Sequence, residues 1–173
     1  MLMEELRMSE LLEQMKKRRS IRKYKQDMIP QEIIDQIIEA GHYAANGMGY
    51  QNTIIIQVSN KELRDKIAET NCKIGGWKDG FDPFYGAPAM LIVLAKKDWA
   101  NRVYDGSLVM GNLMLAAHEL GIGSCWIHRA KEEFEYCILD IKTGNGIPLL
   151  PFPIISLRFF CLLVFPAQNK KHY

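Results

Sequence analysis

A chain of 173 residues is long enough to bury a sizeable core and short enough to form one domain. Its hydrophobic content of 48% and charged content of 24% fit a globular protein and exclude disordered or fibrous classes, while a net charge of +2 gives no global attraction to nucleic acid or anionic lipid. The four cysteines (Cys72, Cys125, Cys137, Cys161) form no CxxC pair and show no metal spacing, so they read as reduced thiols of a cytoplasmic protein and no metal is expected.

Leu2, Leu6, Leu11, Leu12 and Met15 recur near helical spacing, which predicts a helix over Met1 to Lys17. The stretch is charged and has no apolar h-region, so no signal peptide is expected. Arg18-Arg19-Ser20-Ile21-Arg22-Lys23-Tyr24 follows. Guanidinium forks and a serine hydroxyl suit phosphate and carbonyl oxygens. By itself, the same cluster also reads as a solvated surface run, or as a cationic complement to the helix C-terminus.

Pro30 is expected in the first turn of a second helix running through Tyr43, with Ile33, Ile34, Ile37, Ile38 and Ala40 as its apolar stripe. Ala44 to Asn52 reads as a loop. Gly47 and Gly49 flank Met48 there, so the backbone can approach a ligand, or the loop is a plain connection. The β-branched run Thr53 to Val58 predicts a buried strand. Asn60 is expected to cap a helix through Ala68, with Asn71 to Gly80 irregular and Asp82 to Pro88 turn-rich. Ala89 to Ala95 predicts a central strand, apolar on both faces.

Tyr104 to Leu120 is apolar nearly all round, which predicts a buried helix. Gly106 and Gly111 in it permit another backbone to come close, so it suits the centre of a dimer as well as a monomer core. Gly121 is expected to end it as the C′ residue. A short strand over Gly123 to Arg129, a brief helix or turn over Lys131 to Glu135, and one or two apolar strands within Ile154 to Phe165 complete the pattern. Pro148 to Ala167 has the length of a membrane span, but four prolines and Arg158 argue against one. The order of elements suggests an α+β or three-layer α/β/α domain with helices around a mixed sheet.

The chain has no GxSxG, HExxH, Walker A or GxGxxG signature, so hydrolytic and Rossmann chemistry are not supported. Of the scattered His42, His118, His128 and His172, His118 reads as a satisfied core histidine. His128, beside Arg129 at a strand end, is the better candidate for ligand contact.

Several pieces in order carry a resemblance: Arg18 to Tyr24 after the first helix, Ile29-Pro30, Gly47-Met48-Gly49-Tyr50-Gln51, Phe84-Tyr85-Gly86-Ala87-Pro88, and Asp105 to Gly121 leading into Gly123 to Lys131. Together they resemble the nitroreductase family of flavin mononucleotide (FMN) enzymes. The resemblance implies a mainly antiparallel mixed sheet surrounded by helices, in a homodimer built on a central apolar helix with FMN at the interface. It implies that Arg18, Arg19, Ser20 and Arg22 grip the ribityl phosphate and the flavin pyrimidine edge. It implies that Asn46, Gly47, Met48, Gly49 and Gln51, from the partner subunit, cover the isoalloxazine, and that Ile127, His128 and Arg129 give main-chain contacts near flavin N5. NAD(P)H then delivers a hydride to the flavin, and a nitroaromatic, quinone or enone takes the electrons in a ping-pong cycle. No side-chain acid or base is required, so no catalytic residue is assigned.

The sequence departs from the family at Gly49, often Asn, and at Asn52-Thr53, often Pro-Trp. It also departs over 136–173, where a helix, a Gly-rich strand and a basic end are usual. Residues 1–135 are therefore expected to form the flavin-binding domain and 136–173 its diverged tail. If the tail does not replace the family's contacts, each lost charge-assisted hydrogen bond costs on the order of 1.5–3 kcal/mol. A flavin-binding protein without turnover is the alternative. A nucleic-acid module using Lys16 to Lys25 is a weaker one, because aromatic interleaving is missing. Neither nucleic acid nor membrane is expected as a partner.

Overall fold

The computed structural model describes residues 10–96 and 98–127, together with the backbone of a strand at 157–166. In chain order the elements are α1 (Glu10–Lys17), α2 (Gln31–His42), a 3-10 turn (Gly47–Gly49), β1 (Thr53–Val58), α3 (Lys61–Ile74), β2 (Met90–Lys96), α4 (Arg102–Glu119), β3 (Ile122–Ile127) and β4 (Leu157–Pro166). The four strands form one sheet in the order β1-β2-β4-β3, every ladder antiparallel. A parallel bridge, Ser20 to Ser124, adds the basic stretch to β3 and makes the pairing mixed.

Strand periodicity divides the core into two layers. Met90, Ile92 and Leu94 of β2 point to one face, where they meet Val58, Ile67, Ala68, Phe84, Cys125 and Ile127. Leu91 and Val93 point to the other, against Ile34 and Ile37 of α2 and Val109, Met110, Leu113 and Ala117 of α4. With α3 on one side and α2 and α4 on the other, the architecture is the expected three-layer α/β/α. Each fully buried aliphatic side chain here contributes about 1.5–3 kcal/mol.

Several expectations need adjustment. Pro30 is the N-cap of α2 and not its first helical residue. Among the described residues β1 is an edge strand, paired only with β2, and its Ile54 is exposed, where a buried strand was expected. α3 continues past Ala68 to Ile74, since Ile67, Ala68, Asn71 and Cys72 keep one helical face buried. α4 is buried on one side only: Tyr104 is 70% exposed and Leu108 48%. Gly121, at φ +75°, closes α4 as expected. Within the Pro148 to Ala167 stretch, residues 157–166 form a sheet strand, and no helix among the described residues is long and apolar enough to cross a membrane. The segment Lys131 to Glu135 lies outside the described residues.

Candidate functional site

The basic stretch begins where α1 ends. Arg19 folds back, and its Nη1 donates to the carbonyls of Lys16 and Arg18, so in this conformation it closes the helix C-terminus. The chain then runs along β3. Ile21 N–H donates to the Ser124 carbonyl at 2.9 Å, next to the Ser20–Ser124 bridge. Buried Tyr24 turns back to donate its hydroxyl hydrogen to the Ile21 carbonyl. These bonds hold Arg18, Ser20 and Arg22 on one strand-like segment against the sheet.

Two observations separate this segment from a merely wet surface run. The Nη1 atom of half-buried Arg18 is itself buried and has no hydrogen-bond partner among the described residues. A buried guanidinium N–H is costly to leave without an acceptor, so this one is suited to an oxygen the described residues do not supply. Cys125 of β3 lies beneath the same segment. Burial pushes its thiol up, against the opposing pull of Arg22, Ser20 and Arg18. Arg22 itself stands 6.0 Å from the centroid of the Tyr85 ring, close enough for a cation–π contact.

Tyr85 is placed by a buried ionic clasp. Arg64 of α3 donates to the Ala87 carbonyl at 2.8 Å and to Asp65 at 3.0 Å, and it pairs with Asp82. Asp82 in turn accepts from the backbone N–H of Phe84 at 2.9 Å and of Gly86 at 2.7 Å. Tyr85, at φ +55°, is thus fixed in a left-handed turn between two bonds to one carboxylate.

The glycine loop is a second rigid unit. Asn46 Oδ1 accepts from Gln51 N–H at 3.0 Å and closes it. Met48 (φ 57°) and Gln51 (φ 46°) both adopt the left-handed region, at about 1–3 kcal/mol each. Gly47 N–H donates to Asp105 Oδ1 at 2.9 Å, and Trp99 Nε1 donates to Asp105 Oδ2 at 2.6 Å. A Cβ on Gly47 would stand 2.4 Å from Asn101 Nδ2, a side-chain end that can turn aside, and 3.0 Å from the Trp99 ring, so the loop sits close against both. Sequence reasoning found the loop but not Asp105, Trp99 or the Arg64–Asp82 clasp. An acid in the first turn of an apolar helix was the local signal for Asp105.

Among the described residues no hydrogen bond, ion pair or ring contact joins Arg18 to Arg22 with Asn46 to Gln51. Ile127 ends β3 on the strand that carries the basic stretch, while His128 and Arg129 lie outside the described residues.

The sequence matches the nitroreductase family over residues 15–73 and 77–148, most of the chain. The chain belongs to the nitroreductase family. A Methanothermobacter thermautotrophicus protein provisionally named NADH dehydrogenase/NAD(P)H nitroreductase is 31% identical, over 92% of this chain and 79% of its own length. The crystal structure of a Desulfitobacterium hafniense nitroreductase with bound FMN superposes with a TM-score of 0.80 at 27% identity, covering 95% of this chain and 92% of that one. A Bacteroides fragilis nitroreductase, also with bound FMN, gives 0.77 at 27% identity over 96% and 93%. In this nitroreductase-family chain, the buried Arg18 Nη1 and the hydroxyl of Ser20, two residues on, are donors of the kind that suit a phosphate.

Proposed function

We propose that the chain is an FMN-dependent oxidoreductase that takes electrons from NAD(P)H and passes them to a small organic acceptor, a nitroaromatic, quinone or enone, by a ping-pong mechanism. The observation that carries this is the buried Arg18 Nη1, without a partner among the described residues, on a segment bonded to β3. Family membership and the FMN-bound relatives support FMN as the group it meets.

When bound, the flavin supplies the hydride-accepting and hydride-donating chemistry. The chain's own residues bind and orient. Arg18, Arg19, Ser20 and Arg22 hold the phosphate and the pyrimidine edge, Arg19 by exchanging its bonds to the Lys16 and Arg18 carbonyls for the flavin. Ile127, with His128 and Arg129, lines the edge of the flavin ring. Asn46, Gly47, Met48, Gly49 and Gln51 roof the ring from a partner subunit and exclude water. All of these lie in the flavin-binding part, residues 1–135, with 136–173 as its diverged tail. No side chain is assigned as an acid or base.

The two-subunit site is supported by the surface of α4. Tyr104, Leu108 and Gly111 fall at i, i+4 and i+7 on one helical face. The first two are exposed, and a Cβ on Gly111 would meet nothing within 4 Å. Leu11, Leu12 and Met15 of α1 add further exposed apolar surface. A second copy covers this face in a homodimer, in the cytoplasm.

The deciding experiment is a visible spectrum of the purified protein, followed by anaerobic addition of NADH or NADPH. A yellow protein that bleaches is expected. A colourless protein that takes up no added FMN sinks the proposal, and a yellow one that never bleaches leaves flavin binding without turnover. In parallel, Leu108→Glu is expected to convert a dimer to a monomer in sedimentation and to lose flavin.

A further inference from the structure

Asp105 is only 3% exposed, yet both of its oxygens serve groups outside its own helix. Oδ1 holds the Gly47 amide at the start of the glycine loop. Oδ2 holds the Trp99 indole. Trp99 in turn stands edge-on to Tyr50 at the far end of that loop, ring centroids 5.3 Å apart at 71°, and its carbonyl is gripped by Arg102 Nη1 at 3.0 Å. One carboxylate therefore controls both ends of a segment that carries two non-glycine residues in the left-handed region, Met48 and Gln51.

Such a conformation persists only where the surroundings over-determine it. Here the surroundings are Asp105 and Trp99, with Asn46 closing the loop from within. Among the described residues no cation forms an ion pair with Asp105. Its position in the first turn of α4 sets the positive end of the helix dipole against its charge instead. The bland role of a first-turn acid is to serve its own helix, and this one turns its oxygens outward.

We propose that Asp105 is a positioning residue for the acceptor site: it fixes the pose of Met48 and Tyr50, and through them the shape of the space that admits the electron acceptor. This rests on the flavin reading above, in which the loop is the roof of the site. Met48 is 77% exposed and Tyr50 57% within one chain, so both project away from their own core and are available to shape a space outside it.

The test uses Asp105→Asn. An asparagine oxygen can accept from one of the two donors, while its amide faces the other with a donor. In hydrogen–deuterium exchange on the flavin-free protein, the Gly47–Gln51 amides are expected to exchange about tenfold faster, the equivalent of one lost hydrogen bond, with β2 unchanged. In the flavin-loaded enzyme, KM for menadione and for 4-nitrobenzoate is expected to rise roughly tenfold or more, with a smaller change in kcat, as for a mispositioned substrate. Trp99→Phe keeps a ring edge beside Tyr50 but removes the indole donor, and should shift both readouts the same way by less. If Asp105→Asn does not fold, Trp99→Phe decides alone. Unchanged exchange at Gly47–Gln51 in a folded variant overturns the proposal, as does an unchanged KM beside faster exchange. Faster exchange in a chain that takes up no flavin keeps the anchor but abolishes the acceptor site, and so overturns it for a reason that is separately visible.

Discussion

Ile21 lies directly over Gly123. A Cβ on the glycine would stand 3.1 Å from the Cβ, Cγ1 and Cγ2 of Ile21. The basic segment reaches β3 because this one position has no side chain, and Ile21, branched at Cβ, cannot swing its near end aside. Gly123→Ala is therefore expected to lift residues 20–22 off the strand edge. It should cost about 1–3 kcal/mol of stability, as overpacking does, and weaken FMN binding in parallel. Thermal melts and flavin fluorescence titration measure the two effects, and a variant that binds FMN like the parent would contradict the link.

Arg18→Met separates binding from folding. Removing the orphaned N–H relieves a buried group of its unmet partner, so the flavin-free variant should be at least as stable as the parent. Its FMN affinity should fall by about 1.5–3 kcal/mol, the worth of a charge-assisted bond. The parent's affinity should also weaken with salt more steeply than the variant's. Equal dissociation constants at low salt would show that Arg18 does not touch the flavin.

Asp82→Ala removes an ion pair and two turn bonds at once. Arg64, 7% exposed, then keeps its charge with fewer acceptors, and stability should drop by roughly 3 kcal/mol, in the range for breaking a buried pair. Arg64→Lys should not substitute for the parent, because an ammonium cannot form the fork that reaches Ala87, Asp65 and Asp82 together. Urea unfolding midpoints test both variants, and a lysine variant as stable as the parent would remove the fork from the account.

Burial raises both the Cys125 thiol and the Tyr24 phenol. The unfolded chain therefore gives up these protons at lower pH than the folded chain. Their contribution to stability is complete below the unfolded values and is lost as pH rises toward the folded ones. The melting temperature should start to decline above about pH 8.5, where an ordinary thiol ionises. Cys125→Ser should flatten the first part of that decline, and Tyr24→Phe the part beyond roughly pH 10. A parent protein with a level profile from pH 8 to 10 would be incompatible with the burial of the Cys125 thiol.

What could be read from the sequence was local. β2 declared itself because Met90 to Ala95 is apolar on every residue, and a strand buried on both faces needs that. α3 was cut short because Asn71 and Gly75-Gly76 look like loop chemistry. The burial of Asn71 and Cys72 overrides that preference. α4 reads as buried all round because its exposed face, with Tyr104 and Leu108, is as apolar as its core face. The glycine loop was visible, but its anchor lies 58 residues away. The Ser20–Ser124 bridge likewise joins distant segments and leaves no local signature. Arg19 was grouped with its neighbours by type, yet its side chain closes α1.

The strand that reaches the sheet last in chain order, β4, sits between β2 and β3. Until it arrives, two inner edges stand open, and neither β3 nor the basic segment bonded to it has anything to join in the sheet. Assembly on the ribosome must therefore wait for the final ladder, the slow, long-range kind of closure that leaves a nascent chain exposed to mispairing. A frameshift or a stop codon upstream of residue 157 would do more than trim a tail: it would remove the ladder that joins β3, and the basic segment bonded to it, to β2.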